Sequence, residues 1–178
     1  GTDVNVMAED PERRPIIVAA LERAFAVVAF NEPLAQRAAA LLGDEKRAKV
    51  VCIPQGVMFE GDSASASEQT FCIRAACDLA NDAVVLLLVC GLRDVKAPLF
   101  LAQRCGAWHA RDPRIHLVVV GPPLDPVLHA KIEAAAAEPG SGLRYHPAVP
   151  HAALLRAMAD ADLLVNSSVS EGQSNAIL

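Results

Sequence analysis

An α/β fold built on parallel strands is predicted by three features of this 178-residue chain. Five short runs rich in Val, Leu and Ile are continuous rather than alternating, as strands covered on both faces should be. Helix-type segments fill the gaps between them, so strand and helix alternate as in βαβ units. Hydrophobic residues make up 53% of the chain, swollen by alanine, while aromatics are only 4%. That balance suits alanine-rich helices around Val/Leu strands better than an all-β protein.

The elements follow in order. "RPIIVAALERA" is a helix and leads into the first strand, "FAVVAF" (Phe25–Phe30). A second helix, "NEPLAQRAAALLG", has Asn31 as its cap, Pro33 in its first turn and Gly43 as its stop. "KVVCI" (Lys49–Ile53) is the second strand. Polar and small residues with little apolar pattern then run from Pro54 to Thr70, and we read them as a linker with a domain boundary near Gly56. Beyond it come the strands "AVVLLLVC" (Ala83–Cys90), "IHLVVVG" (Ile115–Gly121) and "DLLVN" (Asp162–Asn166). The helices "APLFLAQRCGAWHARD", "DPVLHAKIEAAAAE" and "PHAALLRAMADA" lie among them. Residues 1–56 are therefore expected to be the last part of one α/β domain, and residues 57–178 the first part of another.

Composition narrows the function. A net charge of −5 argues against general nucleic-acid binding, which needs a basic footprint. It leaves room for a small anionic ligand, since a few local cations and helix N-termini can hold one in an acidic protein. The longest apolar run is far too short to span a bilayer. The five cysteines show no CxxC spacing and sit mostly among apolar residues, so buried reduced thiols and a cytoplasmic location are expected. The opening "GTDVNVMAED" has neither an initiator Met nor a signal-peptide pattern, as expected of a piece of something longer. His146 and His151, five apart around two prolines, make no recognised metal spacing. No GxSxG elbow supports hydrolase chemistry.

Three stretches carry candidate chemistry. In "CGLRDVKAPLFL" a strand ends at Gly91, the cations Arg93 and Lys96 follow, and Pro98 opens a helix. This is either a polyphosphate seat at the C-terminal edge of a parallel sheet or a solvated loop with two surface cations. In "VVVGPPLDP", Gly121 allows a sharp turn and Asp125 is placed to cap the next helix. In "NSSVSEGQSNAIL", Glu171 and Gly172 precede a helix start, where Gly172 lets a ligand approach the backbone and Ser170 or Ser174 can cap. A plain capping turn explains these last residues equally well.

Taken in order, "VCIPQGV", "GLRDVKAP", "VVVGPP" and "GLRYHPAVPHAALLRAMADADLLVNSSVSEGQSNAIL" resemble the group 1 glycosyltransferase domain of retaining GT-B enzymes. The resemblance spans nearly the whole chain and is weakest over Met58–Asn81. It implies two Rossmann-like domains, with a nucleotide-sugar held mainly by the second. It implies that Arg93 and Lys96 hold the donor diphosphate after Gly91, although here Leu92 intervenes and the gap to the lysine is short. It further implies that backbone groups near Val149 meet the base, that Glu171 meets the transferred sugar, and that the N–H groups of Gly172 and Gln173 face sugar or phosphate. A second, ribose-binding glutamate is implied directly after Leu178. The donor would be a UDP-, GDP- or ADP-sugar, the acceptor is unspecified, and no metal or other cofactor is expected. This segment alone is expected to be inactive. A non-catalytic nucleotide-binding module descended from such enzymes is the alternative.

Overall fold

The computed structural model describes residues 2–56 and 71–170. Of the expected linker Pro54–Thr70, residues 57–70 lie outside the described residues. Two compact units are present, residues 2–56 in one and residues 71–169 in the other.

The first unit contains helices α1 (Thr2–Asn5), α2 (Arg14–Arg23) and α3 (Glu32–Leu42) and strands β1 (Val27–Ala29) and β2 (Val50–Cys52). The strands pair in parallel, with Val28 opposite Val51. α3 starts where its sequence says it should: the Asn31 side chain accepts a hydrogen bond from the Leu34 N–H at 2.9 Å. It stops at Gly43, whose φ of 75° suits glycine. Ala29 packs on Leu34 and Ala35 of α3, with Val4 and Val50 against them. The opposite face of the pair is open, with Val28 53% and Val51 45% exposed. Among the described residues, β1 and β2 are thus covered on one face.

The second unit holds α4 (Ile73–Ala76), β3 (Val84–Val89), α5 (Pro98–Arg111), β4 (Ile115–Val120), α6 (Pro126–Ala137), β5 (Leu143–His146), α7 (His151–Asp160) and β6 (Leu163–Val165). The strand order is β5-β4-β3-β6, with every neighbouring pair parallel. Leu88, Leu117 and Val119 face α5 and α6 through Ala102, Cys105, Leu128 and Ile132. Val85, Leu87, Val118 and Val120 face α4 and α7 through Ile73 and Ala157. Both faces of β3 and β4 are thus covered, which is why their sequences run apolar without alternation. Burying each such Leu or Ile contributes about 1.5–3 kcal/mol.

β5 and α4 were not foreseen. "LRYH" offers only Leu143 and Tyr145 as strand-type residues, and it lies at the sheet edge where one flank needs no partner. β6, at the other edge among the described residues, has Leu163 54% and Leu164 38% exposed.

The cysteines divide rather than all being buried. Cys77, Cys90 and Cys105 are buried, Cys52 and Cys72 are exposed, and none forms a disulfide. Burial pushes the Cys77 thiol up to about 11, which makes it inert at neutral pH.

His116 of β4 and His109 of α5 pack with ring centroids 4.8 Å apart and planes tilted by 56°. Burial, followed by the nearby charges of Arg144 and His109, holds the His116 imidazole below its ordinary pKa. The unfolded chain therefore binds a proton that the folded chain refuses, and stability present above the ordinary histidine pKa is lost as pH falls below it. Between about pH 7.5 and about pH 5.5 the Tm of the parent chain is expected to fall more than that of His116→Gln. Equal slopes in thermal unfolding would remove His116 from the cause.

Candidate functional site

Because all four strands of the second unit are parallel, the loops after β3, β4, β5 and β6 leave from one edge of the sheet. That edge is where ligands bind in open α/β folds. It gathers most of the residues singled out in the sequence.

The loop after β3 is pinned before it turns. Cys90 N–H donates to the Val120 carbonyl at 3.0 Å and Leu92 N–H to the Pro122 carbonyl at 2.9 Å. The Leu92 side chain is fully buried in the core. This explains the leucine between Gly91 and Arg93: it anchors the loop and leaves Arg93, the next residue, exposed. The Arg93 guanidinium makes no hydrogen bond or ion pair among the described residues. A Cβ on Gly91 would lie 2.7 Å from Leu124 Cδ1, so the loops after β3 and β4 are in tight contact here.

Asp94–Lys96 form one 3-10 turn, with the Lys96 N–H donating to the Arg93 carbonyl at 2.9 Å. Ala97 follows at φ 43°, ψ 46°, the left-handed basin, directly before Pro98 at the start of α5. A non-glycine residue there costs about 1–3 kcal/mol and is disfavoured further by a following proline. α5 has no side-chain cap.

The loop after β6 folds onto this turn. Ser167 Oγ donates to the Lys96 carbonyl at 2.9 Å. Val169 N–H donates to the Val95 carbonyl at 2.9 Å, and Ser168 N–H to Asn166 Oδ1 at 2.9 Å. The cation loop and the segment that leads to Glu171 are therefore joined, although nothing in their sequences signals the bonds. Glu171, Gly172, Gln173 and Ser174 themselves lie outside the described residues.

The remaining two loops are mostly structural. Asp125 accepts from the Val127 and Leu128 N–H groups at 2.9 and 3.0 Å, and so caps α6 as its position suggests. Tyr145 O–H donates to the Gly121 carbonyl at 2.9 Å. Val149 packs its half-buried side chain against the core, so what it offers the edge is backbone. His146 bonds the Pro147 carbonyl at 2.8 Å and meets Phe71 edge-on. No group of three or more metal-ligating side chains is found among the described residues. No helix among them is long and apolar enough to cross a membrane.

An arginine and a lysine beside an uncapped helix N-terminus can hold an anion with two or more acidic oxygens. No protein-family model matches the chain. Over 100% of its length it is 35% identical to glycosyltransferase 1 domain-containing protein 1 of Xenopus tropicalis, and it covers 51% of that protein. The chain thus spans about half the length of that curated relative. Among solved structures, 94% of it aligns with 45% of Anabaena Alr3699/HepE in complex with UDP-glucose, at a TM-score of 0.69 and 18% identity. A UDP-forming α,α-trehalose-phosphate synthase from Burkholderia xenovorans gives 0.71 and 14%, over 96% of this chain and 46% of that one. WaaG, a glycosyltransferase involved in lipopolysaccharide biosynthesis, gives 0.60 and 16%, over 97% and 47%. With its parallel sheets and loops placed as described, the chain carries part of the GT-B glycosyltransferase fold and is similar, from end to end, to half of a glycosyltransferase 1 domain-containing protein.

Proposed function

We propose that this chain supplies the donor-binding part of a glycosyltransferase that moves a sugar from a nucleotide-sugar to an acceptor with retention of configuration. The observation that carries the reading is the joining of the Arg93/Lys96 turn to the segment leading to Glu171, through Ser167 and Val169. A nucleoside diphosphate leaves in such a reaction, and its growing negative charge is stabilised by positioned cations and N–H donors. Arg93 and Lys96 would meet the diphosphate, backbone near Val149 the base, and Glu171 with Gly172 and Gln173 the sugar. No metal is required in this scheme. UDP-sugars come first among the candidate donors because similar folds were solved with UDP or UDP-glucose; GDP- and ADP-sugars follow. The free thiols lead us to assign the protein to the cytoplasm.

The test uses a full-length protein carrying this sequence, with Arg93→Ala and Glu171→Ala assayed for sugar transfer and for donor affinity. A hydrogen bond to a charged group is worth about 1.5–3 kcal/mol, so each variant is expected to lose about ten- to a hundredfold. Unchanged turnover in both would sink the catalytic assignment. Donor binding without transfer by the parent would instead mark a nucleotide-binding module.

A further inference from the structure

We propose that Ser167 is a positioning residue for Lys96, through a strap that sets where the ammonium group meets the donor diphosphate. The inference rests on the donor-site reading above and adds a residue to it.

The turn that carries Lys96 is unfavourable by itself. It ends in Ala97 at φ 43°, a conformation an alanine avoids, and Pro98 fixes the chain immediately after it. Two local bonds close the turn, Lys96 N–H to the Arg93 carbonyl and Ala97 N–H to the Asp94 carbonyl, both 2.9 Å, and neither uses the Val95 or Lys96 carbonyl. Those two carbonyls are met from the loop after β6, in succession. Ser167 Oγ takes the Lys96 carbonyl, and Val169 N–H takes the Val95 carbonyl. Strain of this kind persists only where the surroundings over-determine the backbone, and it collects at ligand clamps.

The two contacts differ in what sequence can change. The Val169 bond is made by main chain and survives substitution, whereas the Ser167 bond needs a hydroxyl. Ser167 also precedes Glu171 by only four residues. A displacement of this loop moves the backbone of the cation turn. Without the hydroxyl the Lys96 carbonyl loses this side-chain donor, the turn relaxes away from the left-handed Ala97 geometry, and the backbone from which the lysine side chain extends shifts with it.

The experiment compares Ser167→Ala, Ser167→Thr, Lys96→Ala and the Ser167→Ala/Lys96→Ala double variant in a full-length protein. Isothermal calorimetry with UDP, initial rates with the UDP-sugar and thermal unfolding are measured for each. Ser167→Ala is expected to weaken UDP binding and raise the donor KM about three- to tenfold, with a smaller change in kcat and none in the acceptor KM. Ser167→Thr keeps the hydroxyl and is expected to restore binding. In the Lys96→Ala background Ser167→Ala should cost clearly less than in the parent, since there is no ammonium left to position. A further loss in the double variant equal to that in the single one overturns the proposal and leaves Ser167 a purely structural contact. An unchanged donor KM in Ser167→Ala, with Lys96→Ala impaired, overturns the strap but spares the donor site. No effect from either substitution overturns both.

Discussion

Replacing Arg74 with alanine is expected to destabilise the second unit by about 2–3 kcal/mol, although Arg74 lies far in sequence from every candidate site residue. From α4 its guanidinium reaches Asp160 Oδ1 at 2.6 Å and Asp162 Oδ2 at 2.7 Å. It also donates to the main-chain carbonyls of Asp160 and, at 3.3 Å, Ala83. Asp162 Oδ2 in turn accepts the Val85 N–H at 2.8 Å. One cation therefore ties the end of α7, the start of β6 and the start of β3. It also sits at the C-terminus of α7, where a helix favours positive charge.

The size of the effect follows from exposure. The Arg74 side chain is 15% exposed, Asp160 29% and Asp162 47%. Fully exposed pairs are worth 0–1 kcal/mol, whereas breaking a buried one costs about 3–5; this network lies between. For a unit of this size the Tm should drop by roughly 10 °C or more. Arg74→Lys keeps the charge but loses the planar fork, so an intermediate loss is expected. Burial pushes the Asp160 carboxyl up, but the Cys72 thiol, the Arg74 N–H groups and the Arg74 charge outweigh it and hold it below its usual value. The associated stability is present above the unfolded carboxylate pKa and fades as pH falls through and below it, about pH 4. The gap between parent and Arg74→Ala should therefore narrow in acid. Identical melting curves at neutral pH would show that the network contributes nothing.

What the sequence disclosed and what it hid divide along chain separation. Caps at Asn31 and Asp125 and the stop at Gly43 were legible because each acts within one turn of its own helix. The apolar runs at β3 and β4 were legible because helices cover both faces there. At β1, β2 and β6 the same kind of run is covered on fewer sides among the described residues, because a strand's neighbours, not its own residues, decide its exposure. β5 was hidden because an edge strand needs few apolar residues. The Ser167 strap and the Arg74 network join residues 71 and 86–88 positions apart, respectively. No local pattern announces such pairs. Leu92 shows the same limit from the other side. In sequence it interrupts the glycine–arginine pair, whereas in the fold it is the anchor that turns Arg93 outward.

Gly121→Ala is expected to be the most damaging single substitution at the sheet edge, costing about 3–5 kcal/mol through overpacking and the hydrogen bonds it displaces. A Cβ there would stand 1.9 Å from the Cys90 carbonyl oxygen and 2.6 Å from its carbon. These are backbone atoms, so no side chain can swing aside. Nor can either chain shift freely. Cys90 N–H is bonded to Val120, Gly121 N–H to the His146 carbonyl at 3.2 Å, and the Gly121 carbonyl to Tyr145 O–H. Opening the gap breaks at least one of these and moves Cys90, the residue that leads into Gly91 and Arg93. Any folded Gly121→Ala protein should therefore also bind UDP more weakly than the parent. Gly121 also has φ 156°, so its substitution adds backbone strain to crowding, whereas Gly140→Ala reports a positive φ without crowding. Gly140 has φ 72°, but a Cβ there meets nothing within 4 Å, so only the left-handed cost of about 1–2 kcal/mol applies. Thermal unfolding should rank the parent first, Gly140→Ala next and Gly121→Ala well below. Equal losses in the two variants would mean that backbone conformation alone, rather than the close approach of the β3 and β4 loops, fixes this edge of the sheet.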